Sequence, residues 1–372
     1  MSRVVSKDLF HFKPTGKLDE DVNEMENQEE LIESSPEMKE MYEKSLELIK
    51  NNDDESNKAF VDMMRGICAP YADILKASPK FTDSVEQTIT TSITIPTSHD
   101  GDFHVPVEVY TPKDLQGGTN NCAYIYAHGG AGIAMAASDF DTLLKHYAVE
   151  FKVVVYNVDY RIAPETRCPN NVKDFYEAVK YISKNGESLG VDPAKIVIAG
   201  DSGGGYICLG AMVMLAENDE SHLVKLAIPG VPMVDDYCFS DTLAMTKEER
   251  INAAGFRKIY QYCIAGDWEE QKNSPYLFPG KASDKLMEKF PPTIIMECEF
   301  DQYITEATRL AGRLRRAGRL LEFVVIPGAG HASSLTPSLK SNQVFFDTLK
   351  TIAREYIHAQ ELIVAVKYEF DI

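Results

Sequence analysis

Between residues 196 and 216 the chain reads Ile196-Val-Ile-Ala-Gly200-Asp201-Ser202-Gly203-Gly204-Gly-Tyr206-Ile-Cys-Leu-Gly-Ala-Met-Val-Met-Leu-Ala216. An apolar run enters Gly-x-Ser-x-Gly and leaves as a sequence of helix formers. Strand, sharp turn, helix is the setting that lifts a serine hydroxyl clear of a sheet. Glycines at 200 and 204 suit a tight turn in which chains pass closely. The turn also puts the serine at a helix N-terminus, where backbone N–H groups and the dipole favour negative charge. Ser202 is therefore expected to be a nucleophile. The glycine spacing does not fit a dinucleotide fingerprint.

A serine needs a base, and the base needs an acid to orient it. In this strand–turn–helix setting the chain order is serine, then acid, then histidine. Three histidines follow Ser202. His222 comes early, after a charged helix end, and His358 falls in a terminal helix. His331, in Pro327-Gly-Ala-Gly-His331, follows the apolar run Phe323 to Ile326. Catalytic groups gather at the C-terminal ends of strands in open parallel sheets, so His331 is the expected base. The acid should leave the preceding strand, Thr293-Ile-Ile-Met-Glu-Cys-Glu-Phe-Asp301. Asp301, at the strand exit, is the expected acid, whereas Glu297 and Glu299 read as wall residues near the mouth.

The negative charge that develops on the attacked carbonyl needs backbone N–H groups aimed at it. Tyr124-Ile-Tyr-Ala-His128-Gly129-Gly130-Ala131-Gly132 offers a glycine-rich loop at the end of an earlier strand. Gly129, Gly130 and Gly203 are the expected oxyanion-hole donors. His128 reads as an anchor of that loop rather than as a base.

These groups require a scaffold of strands. Thr88 to Ile95 and Val105 to Tyr110 alternate and are β-branched, which suggests an antiparallel edge. Ala123 to Ala127, Val153 to Val158, Ile196 to Ala199, Val224 to Ile228, Thr293 to Met296 and Phe323 to Ile326 are continuously apolar, as in strands buried on both faces of a parallel sheet. Helical spacing lies between them, at Val172 to Ser183 and from Ile304 to Leu314, and before them at 36–51 and 55–76. The expected fold is α/β, with a mostly parallel sheet of about eight strands flanked by helices.

The expected division is an N-terminal arm with cap helices over 1–84, core over 85–231, a cap insert over 232–289, and the rest of the core with a tail strand over 290–372. The insert carries a helical pattern from Thr246 to Ala265 and the sole tryptophan, Trp268. Its length argues against a structureless loop.

The chain has 38 basic and 57 acidic residues, a formal charge of −19. Such a surface repels nucleic acid and anionic membranes, and otherwise serves solubility. Seven scattered cysteines with no Cys-x-x-Cys argue against a disulfide framework or a structural zinc site. No stretch resembles a signal peptide or a membrane span. A cytoplasmic location is the expectation.

Taken in order, these motifs resemble the hormone-sensitive-lipase-like carboxylesterase family of the α/β-hydrolase fold. His128-Gly129-Gly130 resembles its oxyanion loop, and Gly200-Asp201-Ser202-Gly203-Gly204 its Gly-Asp-Ser-Ala-Gly elbow. Asp159-Tyr-Arg-Ile-Ala-Pro-Glu165 matches its Asp-Tyr-Arg-Leu-Ala-Pro-Glu segment almost letter for letter, and Ser274-Pro275 and Phe290-Pro-Pro-Thr293 to Asp301 have counterparts too. The resemblance spans about residues 103 to 331. It implies a carboxylic ester hydrolase with a helical cap, acting without cofactor or metal on small or medium acyl esters. It also implies that Asp159, Arg161 and Glu165 support the loops behind the site.

Departures from the family pattern cluster near the chemistry. Ala131 stands where a third glycine is usual and would tighten the acyl pocket. Gln302, Ile304 and Thr305 follow the acid in place of the usual proline and Arg-Asp pair. Ala332 to Ser334 follow the histidine where a phenylalanine is usual.

Two other functions fit the same fold: a non-catalytic small-molecule receptor, and an amidase, lactonase or deacetylase using the same triad. Trp268, Tyr260, Phe256, Tyr237 and Phe239 are candidates to line the pocket or to form cap core. The tail from Glu361 to Ile372 reads as an extra strand. It could join a sheet edge of its own chain or of a second copy, so a homodimer is among the expectations.

Overall fold

The structure is a computed structural model that describes residues 16, 17, 19, 20, 36–51, 53–236, 254–362 and 364. Its centre is an eight-stranded sheet in the order β1-β2-β4-β3-β5-β6-β7-β8. The strands are β1 (Thr88–Pro96), β2 (His104–Pro112), β3 (Asn121–Ala127), β4 (Val154–Val158), β5 (Val191–Asp201), β6 (Leu226–Gly230), β7 (Thr293–Cys298) and β8 (Leu320–Ile326). β2 runs antiparallel to both β1 and β4, and every other pairing is parallel. The two alternating strands thus form the antiparallel edge, and each apolar run is a parallel strand.

The reason lies in what covers the sheet. β4, β6 and β7 are buried along their whole length. Successive side chains of a strand point to opposite faces, and in β3 both sets are apolar. Ala123, Ile125 and Ala127 join the core beneath one layer of helices, and Cys122, Tyr124 and Tyr126 the core beneath the other.

The helices are α1 (Pro36–Lys50), α2 (Asp54–Ala77), α3 (Pro79–Val85), α4 (Asp141–Phe151), α5 (Asn170–Asn185), α6 (Gly203–Glu217), α7 (Ile304–Arg316) and α8 (Lys340–Ile352). The first core takes side chains from α1, α2, α5, α6 and α7, and the second from α3, α4, α8 and the end of α2. α6, which begins just after Ser202, is buried from Gly203 to Ala216. A helix apolar on all sides belongs inside.

α2 starts cleanly because Asp53 caps it, its side chain accepting from Ser56 N at 2.8 Å. The N-terminal helices pack on the insert. Lys258 Nζ donates to the carbonyls of Leu48 and Asn51 at the end of α1, and a Cβ on Gly255 would touch Phe60 of α2 at 3.6 Å. The helical pattern from Thr246 is described only from residue 254 on, where it runs into a wider helical turn at Ile259–Ile264. Most of the arm over 1–35, the pocket candidates Tyr237 and Phe239, and nearly all of the tail strand lie outside the described residues.

Candidate active site

The elbow is built as the glycines require. Ser202 joins β5 to α6 at φ 57°, ψ −117°, a sparsely populated conformation that persists only when its surroundings over-determine it. They do so here. A Cβ on Gly204 would overlap the Ala127 carbonyl, and one on Gly200 would lie 2.5 Å from the Gly204 oxygen. Ser202 N donates to Gly230 O at 2.9 Å. The turn therefore holds only because β3 and α6 can approach it.

Ser202 Oγ lies 2.8 Å from His331 Nε2, and His331 Nδ1 lies 2.6 Å from Asp301 Oδ2. The Asp301 side chain is fully buried, while 29% of the His331 side chain is exposed. Asp301 Oδ1 accepts from Tyr303 N at 2.8 Å, so the carboxylate is held at both oxygens. With Nδ1–H donated to Asp301, Nε2 is left as the acceptor facing the serine hydroxyl. Chain ends from β5, β7 and β8 meet here, as their shared parallel direction dictates.

Across from the serine runs the loop after β3. Gly130 has φ 107°, and a Cβ there would fall on the Ala134 carbonyl oxygen. A Cβ on Gly129 would lie 3.8 Å from Ser202 Cβ, and one on Gly203 would lie 2.6 Å from Gly132 N. Loop and elbow touch backbone to backbone. No backbone hydrogen bond among the described residues uses the N–H of Gly129, Gly130 or Gly203. Unpaired N–H groups beside a nucleophile suit an incoming negative charge. Ala131, at φ 55°, occupies a left-handed position where a glycine would be unstrained.

His128 is fully buried. Its Nδ1 lies 2.8 Å from Gly129 O, its ring stacks on Tyr160 at 4.4 Å, and Tyr160 donates to its carbonyl at 2.7 Å. Burial holds this imidazole below its ordinary pKa, in the neutral form. It anchors the loop. His222 lies against Asp219 O and His358 against Phe151 O, neither on the serine.

Two expectations need adjustment. Glu297 is not at the mouth: it is fully buried, accepts from Cys298 N at 3.1 Å, and burial with the nearby Asp301 charge pushes its carboxyl well above the ordinary range. Glu299 is a tie, accepting from Gly16 N at 2.7 Å and Gly328 N at 3.1 Å. Arg161 ties its segment to α5 and to the turn between β1 and β2, bonding Asp174 at 2.8 Å and the Asp100 carboxylate. Asp159 holds the turn that follows the oxyanion loop, accepting from Ala137 N at 3.0 Å.

Of the aromatic candidates, Tyr260 packs on Tyr206 and Phe278 as core, and the half-buried Trp268 meets Phe278 edge-on. Phe256 instead meets Tyr303 edge-on at 5.4 Å, and Tyr303 meets His331 in the same way at 5.4 Å. Sequence reasoning passed over Tyr303, although its place two residues beyond the acid was a usable signal. It also passed over Arg65 of α2, whose guanidinium bonds Ile133 O at 2.8 Å and Glu165 at 2.7 and 3.0 Å. No local pattern marks that residue.

Asp201, next to Ser202, is buried and accepts from the Tyr126 hydroxyl at 2.9 Å. Burial raises its pKa to about 6. Among the described residues no cluster of His, Cys, Asp or Glu could hold a metal ion, and no helix is long and apolar enough to cross a membrane.

A family model described as the alpha/beta hydrolase fold matches residues 124–335, more than half of the chain. The chain is 26% identical over 238 residues to an ethyl acetate hydrolase of Pseudomonas putida, covering 63% of this chain and 73% of that one. Over 143 residues it is 37% identical to the human arylacetamide deacetylase-like 2, covering 36% of this chain and 35% of that one. Its structure is similar to that of a bacterial heroin esterase, with a TM-score of 0.69 and 26% identity, covering 80% of this chain and 92% of the other. The chain belongs to the hormone-sensitive-lipase-like carboxylesterase family of the α/β-hydrolase fold.

Proposed function

We propose that the protein is a serine hydrolase that cleaves small or medium acyl carboxylic esters through an acyl-enzyme. The observation that carries this is the unbroken chain from Ser202 Oγ to His331 Nε2 and from His331 Nδ1 to Asp301 Oδ2, at 2.8 and 2.6 Å. Ser202 Oγ attacks the ester carbonyl as its proton passes to His331 Nε2. Asp301 holds the Nδ1–H tautomer and stabilises the imidazolium. The N–H groups of Gly129, Gly130 and Gly203 take the oxyanion. Collapse expels the alcohol, which takes the proton from Nε2. Water, deprotonated by the same nitrogen, then attacks the acyl group, and as the carboxylic acid leaves the proton on Nε2 returns to Ser202 Oγ. No cofactor enters these steps.

Relatives named for ethyl acetate and heroin support short acyl groups as the substrate class. A deacetylase reading of the same triad draws on the match to arylacetamide deacetylase-like 2. Paired anilide and phenyl esters of one acyl group separate the two by their kcat/KM. A receptor role is disfavoured by the intact triad, and a fluorophosphonate probe should label Ser202.

We read helices α1 and α2 with the insert as a cap over the site, the cytoplasm as the location, and a homodimer through the tail as an arrangement that sedimentation would test. The decisive variant is Ser202→Ala. Hydrolysis of a chromogenic butyrate ester should vanish, and undiminished turnover would refute the assignment.

A further inference from the structure

The oxyanion loop is contorted and must be held from outside. Gly130, Ala131, Gly132 and Met135 all have positive φ, and two of these are not glycine. Such a backbone persists only where neighbours over-determine it. Within the loop, Ile133 N and Ala134 N both donate to Gly130 O, at 3.0 and 2.9 Å, and close the turn. The turn packs against the elbow backbone at Gly203, but neither of its internal hydrogen bonds ties it to Ser202.

One side chain reaches it from far away in sequence. Arg65 Nε donates to Ile133 O at 2.8 Å, and Nη2 to Ala163 O at 3.2 Å. Ala163 N in turn donates to Gly132 O at 2.8 Å. Glu165 receives Nη1 and Nη2 at 3.0 and 2.7 Å, which fixes the plane of the guanidinium. A planar fork with donors in fixed directions can serve two carbonyls and a carboxylate together, which an ammonium cannot. The segment of the chain that matches the family model starts at residue 124, well beyond α2.

We propose that Arg65 is a positioning residue for the oxyanion hole: by clamping Ile133 and Ala163 it sets where the N–H groups of Gly129 and Gly130 point. This rests on the proposed ester hydrolysis. It also makes α2 part of the catalytic geometry, so the N-terminal helix does more than cover the site.

The test compares Arg65→Lys, Arg65→Ala and Glu165→Gln with wild type and Ser202→Ala. It measures kcat and KM on p-nitrophenyl butyrate, the Kd of an alkylboronic acid that binds as a tetrahedral adduct, and Tm. Loss of a single oxyanion donor costs about 100- to 1,000-fold in kcat, so a misplaced loop should cost about tenfold in Arg65→Lys and up to about a hundredfold in Arg65→Ala. Boronate affinity should weaken by a similar factor, with KM within about twofold of wild type, the signature of an interaction made in the transition state.

Glu165→Gln leaves the bonds to Ile133 and Ala163 in place and should lose less than Arg65→Lys. If Arg65→Ala does not fold, these two variants carry the test. Unchanged kcat and boronate affinity in folded Arg65→Lys would overturn the proposal. So would a rise in KM alone, or a loss in Glu165→Gln as large as in Arg65→Lys. Turnover retained by Ser202→Ala would instead bring down the proposed function itself.

Discussion

Two backbone segments face each other across Ser202, and they are held in different ways. The elbow over 200–204 is fixed by its own strand, its own helix and the neighbouring β3 and β6, through glycines that let backbone meet backbone. The oxyanion loop over 128–135 is fixed by side chains and amides from elsewhere: Arg65, Tyr160 and Ala163. A nucleophile can be presented by a local motif. The donors that stabilise its transition state depend on tertiary support.

The largest expected effect lies on the elbow's side, in the groups that hold the base. Asp301→Asn keeps shape but favours the wrong imidazole tautomer, so kcat should fall by about 10⁴ while the fold survives. Steady-state kinetics with a circular dichroism control check this. Activity near wild type would move the acid role to a glutamate such as Glu297. Next comes the loop. Gly130→Ala places a methyl group on the Ala134 carbonyl at φ 107°, and its kcat should fall by about 100- to 1,000-fold as the donors are displaced. If that variant retains full activity, the N–H groups of the loop do not serve the transition state.

The motif-borne half of this comparison was open to reading. Strands showed as β-branched or continuously apolar runs because both faces of the parallel sheet are covered, and the order serine, acid, histidine followed from strand ends that share a direction. Asp301 and His331 are where those rules put them. The other half was closed. Arg65 meets Glu165 across 100 positions, and a partner so remote leaves no periodicity or spacing in the sequence. Glu297 and Glu299 were misplaced because alternation along a strand gives a face but not the depth of cover over it.

The smallest expected effect on catalysis concerns what the elbow costs. Burial raises Asp201 from the ordinary 3.8 to about 6. The folded state then binds more protons than the unfolded state between those values, so stability falls as pH rises from about 4 to about 6 and the loss persists above. The gap corresponds to roughly 3 kcal/mol at most. Asp201→Asn keeps an acceptor for the Tyr126 hydroxyl and removes the charge. In urea titrations it should gain on wild type through that window and hold the gain at pH 8, with turnover changed least among these variants. A stability difference independent of pH would show that the carboxylate is not penalised by burial.

The central claim is that Ser202 carries the acyl group. Rapid acid quenching during turnover of a p-nitrophenyl ester, followed by peptide mass analysis, tests it directly. One acyl group is expected, on the peptide containing Ser202, and it should disappear in Ser202→Ala. Ester turnover with no acyl adduct on that peptide, or with the adduct on another residue, would contradict it.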